Sequence, residues 1–284
     1  MARAHVVTAA AAALLAAIVG VTAGARADSM RRQPDVIAVG TGTYVFAFSA
    51  NGTGGHAIGA GDYPAYSHDG QLAFTLDGVW VANADGSGRR HIVPRFAEYL
   101  TYTNPTWSPD GDHVAYIRVD NGHETSELWV VRPDGRDRHG LAIVHLADMP
   151  TWSPNGKWIA YAGDGGLSEV LSDGSGKRLL LRRVVSSPAW SPDGRRIAFE
   201  EQTGQTVAIG ALDVADGKTR LIERHCCSAG PIAWSPDGRR LAFTVQRTNA
   251  GGSYFEVRTL VLATGAEHVL THLFVQRVDG LAWR

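Results

Sequence analysis

Cysteine is almost missing: two residues in 284, and those two, Cys226 and Cys227, are adjacent. A disulfide-stapled scaffold and a cysteine-rich zinc module are therefore both excluded. An excess of one charge is missing as well, with 27 Lys plus Arg against 28 Asp plus Glu, a formal charge of -1, and no basic run. The electrostatic footprint of a nucleic-acid binder is absent. Common catalytic signatures are missing too: the chain holds no G-x-S-x-G elbow, no H-E-x-x-H, no P-loop and no C-x-x-C. The composition that remains, 44% hydrophobic and 19% charged, is that of a globular protein with a real core. Its 33 glycines and 12 prolines punctuate the chain too often for long helices, which leaves many short strands.

The N-terminus stands apart from the rest. Arg3 is followed by an apolar stretch from Val6 to Ala23 and then by Ala25-Arg26-Ala27, an A-x-A pattern before Asp28. This reads as a Sec-type secretory signal over residues 1–27, with an uncleaved anchor as the alternative. No cysteine follows to accept a lipid, and Arg31-Arg32 lies after the apolar stretch, where a twin-arginine signal would precede it. The expectation is one domain over residues 28–284, extracytoplasmic (periplasmic or secreted), monomeric and without stable membrane insertion once the signal is removed.

The dominant feature is a repeat. AYSHDGQLAF from Ala65, TWSPDGDHVAY from Thr106, TWSPNGKWIAY from Thr151, AWSPDGRRIAF from Ala189 and AWSPDGRRLAF from Ala233 are five versions of one phrase. A sixth begins at Leu281-Ala282-Trp283. Ser, Pro, Asp and Gly in this order build a type I turn closed by a left-handed glycine, so each phrase is a hairpin. The triplet after it, such as Val114-Ala115-Tyr116, is apolar on both faces, which requires a strand covered on both sides.

Further glycine turns at Gly86, Gly135, Gly174, Gly217 and Gly265 mark a second hairpin in each unit, giving four antiparallel strands. Such sheets bury both faces by stacking radially, each aromatic against the small alanine of a neighbour. The N-terminal strands around Ile37-Ala38-Val39, Tyr44 to Ser49 and His56 to Gly59 lack a first strand, and Val278 to Trp283 supplies one. The expected fold is all-β: a six-bladed β-propeller of four-stranded antiparallel blades, closed by pairing of the N- and C-terminal strands in one blade.

The W-S-P-D-G hairpin followed by apolar-Ala-aromatic resembles the WD-repeat-like units of the TolB propeller, over nearly all of the chain after residue 33. The N-terminal α/β domain of TolB has no counterpart, since only Asp28 to Gln33 precedes the first expected strand. The resemblance implies an envelope protein that binds a protein or peptide.

Candidate site residues come from the connections between blades. Four residues before each aromatic stand Asp62, Thr103, Asp148, Ser186, Gly230 and Asp279, and the three aspartates could hold a divalent cation or a cationic group of a partner at the channel mouth. Tyr63, Tyr99, Tyr102, His145, His225 and Arg277 lie on the same loops and are residue types typical of recognition surfaces. Turn formation before a strand is the commoner reason for such aspartates. No catalytic residue and no resident cofactor is assigned. Glu200 and Glu201 are neighbours on a strand and point to opposite faces, unlike a glycosidase pair. Asn83, Asp85 and Ser87 mimic the start of a calcium loop, but Pro94 stands where its last ligand belongs.

Cys226 and Cys227 could form a vicinal disulfide. Adjacent Cα atoms about 3.8 Å apart would strain such a bridge and leave it reducible. The leading functional expectation is a non-catalytic, extracytoplasmic binding propeller. The alternative is a secreted propeller enzyme, a lyase or hydrolase acting on polysaccharide or peptide, with catalytic residues scattered over the channel face.

Overall fold

A computed structural model describes residues 35–144, 148–163, 165–204, 206–225, 229–249 and 252–284. The expected signal segment and the pair Cys226 and Cys227 lie outside the described residues. The described chain forms 24 strands in six four-stranded antiparallel sheets.

Each repeat phrase spans an inner strand, its hairpin and the next strand. In the blade that begins at Asp62, β4 (Asp62–Tyr66) pairs with β5 (Leu72–Thr75), then β6 (Gly78–Ala82) and β7 (Arg90–Pro94). The four later inner strands are β8 (Leu100–Trp107), β12 (Asp148–Trp152), β16 (Val185–Trp190) and β20 (Ala229–Trp234). The last blade is assembled from the two ends of the chain. Its inner strand is β24 (Gly280–Trp283), which pairs with β1 (Val36–Gly40), followed by β2 (Tyr44–Ser49) and β3 (His56–Ala60). Neighbouring inner strands touch all the way round, from β24 to β4, β8, β12, β16, β20 and back to β24. The ring is closed.

The hairpin chemistry is the same in all five complete phrases. The glycine N–H donates to the serine carbonyl at 2.8–3.1 Å, and the glycine has a positive φ, from 67° at Gly238 to 87° at Gly70. The serine does more than begin the turn. In Ser235, which is fully buried, Oγ donates to Asp237 Oδ1 at 2.6 Å and accepts the backbone N–H of Arg240 at 2.9 Å. Ser67, Ser108, Ser153 and Ser191 repeat this pair of bonds.

The core lies between blades. Six apolar clusters each join two adjacent blades, and each places the aromatic of one phrase against the alanine of the preceding blade's triplet: Trp107 with Ala73, Trp152 with Ala115, Trp190 with Ala160, Trp234 with Ala198, Trp283 with Ala242 and Tyr66 with Ala38. All six alanines are fully buried. The small residue is required because an indole or phenol ring fills the space in front of it. Two indoles also bond across the interface, Trp107 Nε1 to the Ala65 carbonyl at 3.2 Å and Trp234 Nε1 to the Ala189 carbonyl at 2.9 Å.

Candidate functional site

Antiparallel pairing sorts the loops onto two faces. Asp62 pairs with Thr75, Thr75 with Val79 and Gly78 with Pro94, so the start of an inner strand, the turn between its second and third strands, and the exit to the next blade share one end. We term this the loop face. The Ser-Pro-Asp-Gly hairpins lie on the opposite, hairpin face.

Toward the loop face five of the six inner strands carry a bulge, β24 being the exception. Registers slip between Asp62 and Ala65, Thr103 and Thr106, Asp148 and Thr151, Ser186 and Ala189, and Ala229 and Ile232. In four of these the extra residue has a positive φ without being glycine: Tyr63 at 49°, Asn104 at 52°, Met149 at 39° and Ser187 at 51°. Each precedes a proline, Pro64, Pro105, Pro150 and Pro188. A proline two residues before the aromatic, as in these four strands, marks this feature, which a reading centred on the hairpin passes over. The bulged segments line a central cavity of about 260 Å³ whose walls, among the described residues, include Tyr63, Pro64, Asn104, Pro105, Met149 and Pro150 and no Asp, Glu, His, Lys or Arg side chain. That wall offers shape and backbone rather than acid–base chemistry.

The charged groups gather at the mouth, where the chain ends meet. Asp62 starts β4 and Asp279 directly precedes β24, the adjacent inner strand. Burial, then a hydrogen bond from and the charge of the Asp279 carboxyl, push the Asp62 carboxyl up to about 7, while the backbone N–H groups of Tyr63 and Gly42 bond it and oppose the rise. Arg277 caps the pair, with Nε 2.6 Å from Asp279 Oδ2 and Nη2 3.8 Å from Asp62 Oδ2. Gly42, at φ 81°, passes so close beneath the Arg277 guanidinium that a side chain at this position would collide with it. The cationic group beside these two carboxylates thus belongs to the chain itself.

The expected residues separate into three groups. Asp62, Tyr63, Arg277 and Asp279 come together at the seam. Asp148 is placed only as the first residue of β12, two inner strands along the ring from β4. Tyr99 lies on the loop face and is half exposed at 52%, its carbonyl bonded by Asn121. Tyr102 is corrected: only 6% exposed, it packs in the core between two blades against Tyr116, because alternation along β8 turns Thr101 outward and Tyr102 inward. His145 lies outside the described residues, and His225 is placed only as the last residue of β19 (Thr219–His225).

Exposed large apolar side chains were not singled out from the sequence. Among the described residues, Phe96, Tyr99, Val184, Phe274 and Leu76 are each more than half exposed, and all five stand on the loop face. The remaining four, Ile143, Leu179, Leu221 and Val269, lie on the outermost strands of four blades. Among the described residues the hairpin face has none. Among the described residues no three His, Cys, Asp or Glu side chains cluster as a metal site, and no helix is long and apolar enough to cross a membrane.

These features define a six-bladed β-propeller with an apolar, loop-built face around a charged mouth. The fold is that of TolB. TolB from Acinetobacter baumannii superposes with a TM-score of 0.75 at 14% identity, covering 98% of this chain and 71% of that one. A propeller in a nidogen/laminin complex superposes with a TM-score of 0.68 at 14% identity, covering 88% and 97%. An oligogalacturonate lyase in complex with manganese reaches a TM-score of 0.58 at 13% identity, covering 79% and 69%. No family model and no curated protein matches the sequence. One architecture thus serves differently named proteins, and the site has to carry the functional argument.

Proposed function

We propose that this protein is an extracytoplasmic binding propeller that engages a protein or peptide through its loop face. The observation that carries the reading is the asymmetry between faces: Tyr99, Val184, Phe274 and Leu76 stand exposed on the loop-face connections, as does Phe96 with one side of its ring against the Arg138 guanidinium, and the hairpin face exposes no large apolar side chain among the described residues. Exposed apolar groups around a polar centre are the anatomy of an interaction surface. Likeness to TolB and to the propeller of the nidogen/laminin complex supports the same role, and the secretory pattern of residues 1–27 supports the location.

A photo-crosslinking residue placed at Phe96 or Phe274, compared with one at Asp216 on the hairpin face, tests the reading in the native envelope. A defined protein adduct from the first two positions and none from the third is expected. Adducts from Asp216 alone, or from no position, overturn it.

A second reading, a propeller enzyme, draws on the proton that Asp62 retains up to a pH of about 7, a property suited to a general acid. Turnover of a polysaccharide or peptide, lost in a folded Asp62→Asn variant, is the result that would select it.

A further inference from the structure

The blade of β12, β13 (Trp158–Gly163), β14 (Gly166–Leu171) and β15 (Lys177–Leu181) departs from the repeat at one buried position. The residue paired with the triplet alanine on the third strand is Val81, Val130, Ala211, Thr259 or Ala47 in the other blades, and Glu169 here. Glu169 is fully buried. Arg178 reaches it, but both Nε and Nη2 approach the same carboxylate oxygen, Oε1, at 2.5 Å. Oε2 has no hydrogen-bond partner.

That carboxylate lines a cavity of about 420 Å³ between this blade and the next, on the hairpin face, opposite the loop face and independent of the reading above. The other walls include Trp158, Trp190, Arg178, Asn155 and Asp193. Trp190 Nε1 is a buried donor, also without a partner. Arg178 lies over the Trp158 ring at 4.7 Å and so stays fixed between the ring and Oε1. The cavity has the size of a small-ligand pocket.

Glu169 Oε2 and Trp190 Nε1, an unpaired acceptor and an unpaired donor of two residues that line this cavity, are both closed to water in this structure, so a ligand that reaches them must carry the matching chemistry. An ammonium group could satisfy Oε2 but not the indole N–H, and a carboxylate could satisfy the indole but would oppose Glu169. A hydroxyl both donates and accepts. Adjacent hydroxyls on a ring with an apolar C–H face would meet Oε2, the indole N–H and the aromatic walls together. We propose that the cleft between these two blades binds a pyranose unit of a neutral saccharide, with Glu169 accepting from one hydroxyl and Trp190 donating to another.

Titration of the ¹⁵N-labelled protein with the methyl pyranosides of glucose, galactose, mannose and N-acetylglucosamine tests this. The eight tryptophans give eight indole N–H signals, and the Trp190→Phe variant assigns the one that matters while keeping an aromatic wall. At least one glycoside is expected to move the Trp190 and Trp158 indole signals saturably. Its dissociation constant should rise at least tenfold in Glu169→Gln and severalfold in Trp190→Phe, with the rest of each spectrum retained. Failure of all four glycosides to move either signal overturns the proposal, as does unchanged binding by a folded Trp190→Phe. The latter outcome keeps the test decisive if Glu169→Gln fails to fold.

Discussion

Asp62, at the start of β4, and Asp279, just before the C-terminal strand β24, bring their carboxyl groups under one guanidinium, that of Arg277, across two adjacent inner strands. This arrangement exists only when β24 has closed the ring against β1, so it reports closure. It also sets a pH dependence. The Asp62 carboxyl is raised from 3.8 to about 7, so its contribution to stability is fully present below about pH 4 and is lost as the pH rises through 7. Asp62→Asn removes that loss. Relative to wild type, the variant should gain on the order of a few kcal/mol between pH 5 and pH 8. Urea denaturation of both proteins at the two pH values measures this difference, and parallel behaviour would show that Asp62 does not hold its proton.

The hairpin aspartates titrate in the opposite sense. Hydrogen bonds from Ser67, Ser108, Ser191 and Ser235 hold Asp69, Asp110, Asp193 and Asp237 below the usual carboxylate range. Their contribution is present above about pH 4 and is lost as the pH falls through the lowered values. Ser235→Ala leaves the buried N–H of Arg240 without its acceptor and releases Asp237. A loss of about 1–3 kcal/mol is expected at pH 7, with a smaller penalty at pH 3. Denaturation midpoints at the two pH values check it.

What was legible in the sequence follows from what every blade must share. The turn needs Ser, Asp and Gly, and the interface needs a small residue beneath a large ring, so Ala115 under Trp152 recurs as Ala198 under Trp234. Blade number and ring closure followed from counting these phrases. The site was legible only in part, because it depends on which inner strands become neighbours. Asp62 meets Asp279 because β24 and β4 become neighbours in the closed ring. Tyr102 looked like a surface residue because its loop was recognisable and the alternation of β8 was not. Glu169 left no linear motif, since its meaning lies in the five apolar or threonine residues at the same position of other blades. Aligning third strands rather than hairpins would have exposed it.

The two kinds of blade tryptophan should respond differently to the same change. Trp234→Phe removes indole volume from an interface and leaves the Ala189 carbonyl without its 2.9 Å donor. A cost of about 2–4 kcal/mol is expected. Trp190 Nε1 has no protein partner to orphan, so Trp190→Phe should cost less, by roughly the 1 kcal/mol of a net hydrogen bond. Thermal unfolding of the two variants side by side gives the ordering, and equal losses would mean that the Trp234 bond contributes nothing.

Closure itself rests on four residue pairs, Ile37 with Trp283, Ala38 with Ala282, Val39 with Leu281 and Gly40 with Gly280. Leu281 and Trp283 also complete the apolar cluster shared with the preceding blade, where Val257 and Leu273 meet Ile37 and Val39. Ending the chain after Val278 removes the inner strand of one blade and part of both its interfaces, and uncovers the edge of β1. An exposed apolar edge templates pairing with another chain. The truncated protein should lose its cooperative unfolding transition and elute as dimers and larger species. Adding the missing strand back as a synthetic peptide of residues 279–284 should restore part of the monomer. Size-exclusion chromatography with light scattering distinguishes the outcomes, and a truncated protein that stays monomeric with an unchanged midpoint would show that the ring does not depend on β24.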